Sequence, residues 1–147
     1  MILVTGANGF VGSTLCRALS KRGLPVRACV RAPSGLRAAN PTNNGRQSPE
    51  LPHVTTCVAP DLGQKENLSA WAEHLSGCHT VVHTAAMVHV MSPTSADVER
   101  FHQVNVEGTL VLARLAHEAG VRRFVFMSTV KVHGERTLPG HPFTADQ

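Results

Sequence analysis

The chain predicts an α/β fold: a doubly wound parallel sheet, truncated at about five strands, with helices on both faces. Three observations carry this reading. Short apolar runs alternate with stretches of helical periodicity along nearly the whole chain. A glycine-rich turn, Thr5-Gly6-Ala7-Asn8-Gly9-Phe10-Val11-Gly12, directly follows the first apolar run. Parallel strands need a crossover between them, and in such sheets ligands bind at the strands' carboxyl ends, so the residues after each run matter most.

Ile2-Leu3-Val4 reads as a buried parallel strand. The glycines that follow have separate tasks. Gly6 permits a tight turn, Gly9 has no side chain to hold a pyrophosphate away from the backbone, and Gly12 lets the next helix pack closely on the sheet. Ser13 to Arg22 reads as that helix, with Val11, Leu15 and Leu19 on one face. Its N-terminus offers free N–H groups and a partial positive charge to phosphates. Gly23 caps it, and Pro25 introduces a second strand, Val26 to Val30.

Residues 32–53 are rich in Pro, Gly, Asn and Ser, lack apolar periodicity and read as a long loop. Val54 to Val58 is a third strand. Glu66 to Leu75 reads as a helix with Leu68, Trp71 and Leu75 on one face and Gly77 closing it. Thr80 to His83 is a fourth strand. Asp97 to Ala119 is the longest helix, with Val98, Phe101, Val104, Gly108, Val111, Leu112, Leu115 and Ala119 at helical spacing and Gly120 after it. Phe124 to Met127 is a fifth strand, and the chain is turn-rich beyond Gly134. No repeat and no internal domain boundary is visible.

With 147 residues the chain is read as one domain with a sizeable core. A net charge of +4 suits a small polyanionic ligand and is too modest to argue for nucleic acid. No apolar run approaches membrane-spanning length, and with a strand beginning at Ile2 no signal peptide is expected. Cys16, Cys29, Cys57 and Cys78 form no C-x-x-C pattern and read as buried free thiols, which fits a reducing cytoplasm. His79 and His83 flank a strand without a third ligand in view, so no metal is expected. The chain contains no tyrosine.

After the second strand stands Arg31, which can pair with a ribose 2′-phosphate or lie solvated on the surface; the first reading favours NADP(H). After the third come Asp61 and Leu62, either adenine contacts or the start of a helix. After the fourth come Thr84, Ala85 and Ala86, small enough for close backbone approach to a cofactor. After the fifth come Ser128 and Thr129.

As an ordered set, TGANGFVG at 5–12, DL at 61–62, VVHTAA at 81–86, NVEGT at 105–109 and FVFMSTVKVHGE at 124–135 resemble the extended short-chain dehydrogenase/reductase superfamily and, within it, the NAD-dependent epimerase/dehydratase family. MVHVM at 87–91, KVHGE at 131–135 and PGHPFTADQ at 139–147 are similar to its UDP-glucose 4-epimerase-like members. The resemblance implies a Rossmann-type fold that binds NAD(P), with NAD the family's usual cofactor against Arg31's lean to NADP. It implies that Gly6, Gly9, Phe10 and Val11, in the turn that also holds Asn8 and Gly12, grip the pyrophosphate. Asp61 and Leu62 would contact adenine, Thr84, Ala85 and Ala86 would line the cofactor, and Asn105 would be a buried polar support. Thr129, or the adjacent Ser128, would bind the substrate oxygen being oxidised.

The implied activity is reversible hydride transfer between a nucleotide-sugar carbon and NAD(P), in a homodimeric enzyme of the cytoplasm without nucleic-acid or membrane partners. The departures are equally specific. The family's general base is a tyrosine in Y-x-x-x-K, beyond the Ser/Thr and beyond Gln147. Lys131 lies too close to Thr129 to replace it, and His133 stands where a tyrosine is usual in the V-Y-G turn. Residues 1–147 are therefore expected to be an incomplete NAD(P)-binding domain, without the C-terminal substrate domain and inactive alone. The alternatives are an NADPH-dependent reductase of the same superfamily and a non-catalytic dinucleotide-binding sensor module.

Overall fold

In the computed structural model, the described residues are 1–31, 51–88, 94–134, 136, 137 and 139–144, with Lys65 described by its backbone alone. Their apolar runs pair as one parallel sheet of β1 (Ile2–Thr5), β2 (Val26–Val30), β3 (Val54–Val58), β4 (Thr80–His83) and β5 (Arg123–Phe126). The strand order is β3-β2-β1-β4-β5. The chain first winds outward from β1 to β3, then returns to the other side of β1 for β4 and β5. The order therefore reverses between β1 and β4, which opens a crevice at their carboxyl ends.

Successive residues of a strand face opposite sides, and both sides of the central strands β1 and β2 are covered. Val26, Ala28 and Val30 of β2 pack with Val4, Ala7 and Cys16 on the side of α1 (Phe10–Lys21). Leu3, Cys29 and Val81 pack on the other side with Leu68, Trp71, Leu75, Leu112 and Ala116. These come from a 3₁₀ turn (Lys65–Ala70) that leads into α2 (Trp71–Leu75), and from α4 (Gly108–Glu118). Burying each such Leu or Val contributes roughly 1.5–3 kcal/mol.

The elements follow the sequence pattern to within a residue at most ends, with these differences. First, α1 begins at Phe10 rather than Ser13, because Gly9, in extended backbone at φ −75° and ψ 173°, serves as its N-cap. In that first turn Gly12 is the residue that meets the sheet side, so its neighbour Val11 turns outward and is 48% exposed, while Leu15 and Leu19 pack inward. Second, only Trp71–Leu75 of the expected helix over 66–75 is α-helical.

Third, the expected helix over 97–119 is two helices. α3 (Ser95–His102) starts earlier, because Thr94 and Asp97 form a reciprocal capping box. A π-helical turn over Gln103–Glu107 then joins it to α4. The Thr109 hydroxyl donates to the Asn105 carbonyl at 2.9 Å, the kind of side-chain bond to the i−4 carbonyl that perturbs a helical ladder. Fourth, β5 spans Arg123–Phe126, one residue earlier than expected. Residues 32–50 of the expected long loop lie outside the described residues. Among the described residues, no helix is long and apolar enough to cross a membrane.

Gly108 sets how closely α4 approaches the segment after β3. A Cβ there would lie 2.6 Å from the Leu62 carbonyl oxygen and 2.8 Å from its Cβ. Alanine normally favours a helix over glycine by about 1 kcal/mol. Gly108→Ala should nevertheless destabilise the fold, because overpacking against backbone costs about 1–3 kcal/mol. Urea denaturation should show a lower midpoint; an unchanged or higher midpoint would mean the contact relaxes without strain.

Candidate functional site

The crevice between β1 and β4 opens into a cavity whose walls come from four segments. Gly6, Asn8 and Gly9 line it from the turn after β1; Cys29, Val30 and Arg31 from the end of β2; Ala59, Pro60, Asp61 and Leu62 from the segment after β3; and Thr84, Ala85 and Ala86 from the segment after β4. Thr5, Trp71 and Val104 complete it.

The three glycines differ in what demands them. Gly6 adopts φ +63°, and a Cβ on it would lie 2.8 Å from the backbone of Ala85. A Cβ on Gly12 would lie 2.3 Å from the Gly6 carbonyl oxygen. Both are fixed by the protein's own packing. Gly9 has an ordinary φ, and among the described residues the close neighbour of a Cβ on it would be the Gly6 oxygen at 3.1 Å, to which its own N–H donates at 2.9 Å. Its bare side lies beside the N-terminus of α1, which no side chain among the described residues caps and whose first turn holds no acid. The first N–H groups of a helix have no intrahelical partner and carry the positive end of its dipole. An uncapped helix start behind a side-chain-free wall fits an anionic group such as a pyrophosphate.

The other lining residues have defined partners. Arg31 is exposed at the end of β2 and makes no ion pair with any described residue. Asp61 lines the cavity with both oxygens engaged: Oδ1 accepts from Gly63 N at 2.8 Å and Oδ2 pairs with Arg100 at 2.7 Å. Leu62 is buried beside it. Asn105 lies behind the wall rather than in it. Its Oδ1 accepts from the Met87 N–H at 2.8 Å, and its Nδ2 donates to the Met87 carbonyl at 3.0 Å, which clamps the segment carrying Ala85 and Ala86.

Behind the turn runs a chain of polar groups whose hydrogens can be assigned by counting. Thr5 Oγ1 accepts from the N–H groups of Thr84 and Ala85, each at 3.2 Å. Its own hydrogen therefore goes to His83 Nδ1 at 2.7 Å. His83 then carries its proton on Nε2 and donates it to Thr109 Oγ1 at 3.0 Å. Thr109 in turn donates to the Asn105 carbonyl.

Other expected site residues are not among those that line the cavity. Phe10 is 83% exposed and, like Val11 and Gly12, does not line the cavity. Ser128 and Thr129 are exposed beyond β5. Thr129 accepts from Lys131 N at 3.3 Å and caps a 3₁₀ turn over Val130–His133. Conversely, Thr5, Cys29, Val30, Ala59, Pro60, Trp71 and Val104 line the cavity without having been singled out for it. Trp71 had a signal as the chain's single tryptophan. It is 2% exposed, and its Nε1 finds no hydrogen-bond partner among the described residues.

A parallel sheet with a glycine turn, an uncapped helix start and a cavity at the reversal of strand order defines a dinucleotide-binding α/β domain. The chain belongs to the NAD dependent epimerase/dehydratase family, whose sequence model matches residues 2–146. It is 34% identical over 151 residues to a UDP-glucose 4-epimerase of Vibrio cholerae, an alignment covering 99% of this chain and 39% of that protein. It is 36% identical to a 3-beta-hydroxysteroid dehydrogenase of Mycolicibacterium neoaurum, covering 94% of this chain and 36% of that one. Among solved structures, MoeE5 in complex with UDP-glucose and NAD is similar at a TM-score of 0.68 and 31% identity, over 92% of this chain and 38% of MoeE5. The chain thus spans under two fifths of the length of each of these three relatives.

The buried polar chain carries a pH dependence. Burial pushes the His83 imidazole down from 6.5 to about 4. In acid the unfolded chain takes up a proton near pH 6.5 that the folded protein refuses until about pH 4. Stability from this group is therefore complete above pH 6.5 and is lost as pH falls toward 4, by roughly 3 kcal/mol in all. His83→Asn, which keeps an acceptor near Thr5 but cannot titrate, should be less stable at neutral pH and show a flatter decline. Urea midpoints measured across this range check the slope; parallel curves for both proteins would remove His83 as its source.

Proposed function

We propose that the chain is the cofactor-binding part of a nucleotide-sugar epimerase or dehydratase, similar to a UDP-sugar 4-epimerase, that moves hydride reversibly between a sugar carbon and NAD(P). The observation that carries the reading is the uncapped start of α1 beside the bare side of Gly9, at the point where the strand order reverses. The dinucleotide, when bound, supplies the hydride acceptor. Gly6, Gly9 and the helix start hold its pyrophosphate. Leu62 and Val30 offer apolar contact to the adenine, and Asp61, already oriented by Gly63 and Arg100, faces the same end. The Ala85–Ala86 wall, held by Asn105 through Met87, gives the nicotinamide half a close backbone approach.

In this reading Thr129, with Ser128 beside it, orients the substrate oxygen. The 147 residues contain no tyrosine, so they hold no phenol to act as general base. General-base assistance contributes typically about 10²–10⁴-fold. The working enzyme is read as a cytoplasmic homodimer that takes a UDP-sugar. Calorimetric titration of the 147-residue chain with NAD⁺ and NADP⁺ is expected to show binding without conversion of UDP-glucose to UDP-galactose. Gly9→Val should abolish the binding and leave the far-ultraviolet dichroism near wild type. Unchanged binding by Gly9→Val would reduce the glycine run to a structural turn, and measurable turnover would reveal a different base.

A second reading, an NADPH-dependent reductase, is favoured by Arg31 at the end of β2. An arginine paired with a 2′-phosphate contributes about 1.5–3 kcal/mol, roughly ten- to a hundredfold in affinity. Arg31→Asp should weaken NADP⁺ binding by that factor and leave NAD⁺ binding little changed. An equal loss for both cofactors would take Arg31 out of the ribose site.

A further inference from the structure

Cys29 and Cys57 are register partners on the adjacent parallel strands β2 and β3. Directly paired residues leave a sheet on the same face, and neighbouring strands lie about 4.7–4.9 Å apart. That spacing falls within the Cα separation of about 4.4–6.8 Å that a disulfide requires. The two sulfur atoms already lie 3.2 Å apart, and both thiols are free. Neither thiol has a task in the function proposed above.

The surroundings distinguish the two. Cys29 is 2% exposed on an inner strand, and its hydrogen bond to Cys57 together with burial pushes its thiol up. Cys57 is half-buried on β3, the outer strand of the sheet. Two side chains influence its thiol. The His74 ring and the Arg27 guanidinium both favour its thiolate, the guanidinium being held by the Ser76 carbonyl at 2.8 Å and by the His74 carbonyl. With the Cys29 hydrogen bond as the largest influence, these lower the Cys57 thiol to about 6 against the effect of burial. Cys78 is the third thiol of the group. It is buried, 3.6 Å from Arg27 Nη1, and donates to the His74 carbonyl at 3.5 Å.

We propose that Cys57 and Cys29 form a peroxide-sensitive dithiol, in which Cys57 reacts with a hydroperoxide and Cys29 closes the disulfide. The Cys57 thiolate attacks one peroxide oxygen, an S–O bond forms, the O–O bond breaks, and the other oxygen leaves as alkoxide or hydroxide and takes a proton. Sulfur loses two electrons, the peroxide gains them, and Cys57 becomes a sulfenic acid. Cys29 sulfur then attacks Cys57 sulfur. An S–S bond forms, the S–O bond breaks, and hydroxide leaves with the Cys29 proton as water. A dithiol reductant returns both thiols. The product ties the outer strand β3 covalently to β2, and its formation is tested on the chain without added dinucleotide, since Cys29 also lines the cavity.

The full chain is treated with one equivalent of hydrogen peroxide, its remaining thiols are alkylated, and it is digested without reduction for mass spectrometry. The expected product has lost two hydrogens and yields one cross-linked Cys29–Cys57 peptide that dithiothreitol separates. Cys29→Ser should stop at a sulfenic acid that dimedone traps on Cys57. Cys57→Ser should consume peroxide at least about tenfold more slowly, the remaining thiols being buried and held protonated. The wild-type peptide map decides the matter even if a variant folds poorly. No cross-link, a Cys57–Cys78 cross-link, or dimedone on another cysteine would overturn the proposal.

Discussion

The hydroxyl of Thr5 is the junction on which the cavity depends. It gathers the N–H groups of Thr84 and Ala85 and passes its own hydrogen to His83, so the ends of β1 and β4 are joined by one side chain. Thr84 returns the favour through its own hydroxyl, which donates to the Thr5 carbonyl at 2.6 Å. The join draws the two segments so close that Gly6 can carry no side chain against Ala85. A polar group this deeply buried is expensive unless every partner is present, and here every hydrogen of the chain from Thr84 to the Asn105 carbonyl has an acceptor. The crevice is thus held open by a satisfied network rather than by apolar packing alone.

From that junction the walls divide into two sides, and one helical segment supports both. On the side of β3, Arg100 of α3 holds Asp61, and Gly108 of α4 lies against Leu62. On the side of β4, Asn105 between them holds Met87. The ion pair is partly exposed and contributes little to stability by itself, so its role is to orient the carboxylate.

Much of this was legible in the amino-acid sequence, where local chemistry determines local shape. The tasks of Gly6 and Gly12 could be read from strand, turn and helix in series, and the alternation of β2 followed from its apolar spacing. Trp71 and Val104 were not legible as cavity residues, because an apolar residue on a helix face reads the same whether it meets core or ligand. Val11 was misjudged because periodicity says which residues share a face but not where the face ends. The capping box of Thr94 and Asp97 was present as a spacing and marks an earlier helix start than apolar periodicity alone suggests. The position of Asn105 was legible as a polar residue among apolar neighbours, whereas its partner Met87 is a backbone group and leaves no mark in sequence. Ser128 and Thr129 were singled out by motif, and motif carries no distance to the cavity.

The π-helical turn also changes the angular phase of the helix. An α-helix advances about 100° per residue, so in an unbroken helix Gly108 would stand about 80° around the axis from Arg100. A π-turn absorbs one extra residue without advancing the helix, which brings the two positions within about 20° of each other. Arg100 and Gly108 therefore both face the segment after β3, one reaching Asp61 and the other meeting Leu62. Removing one residue from 103–107 would leave an ideal helix with the two positions still in phase, whereas closing the same residues into an α-helix would turn one of these two contacts away from its partner. In this segment the phase of the helix, more than its length or its stability, decides the shape of the cavity wall.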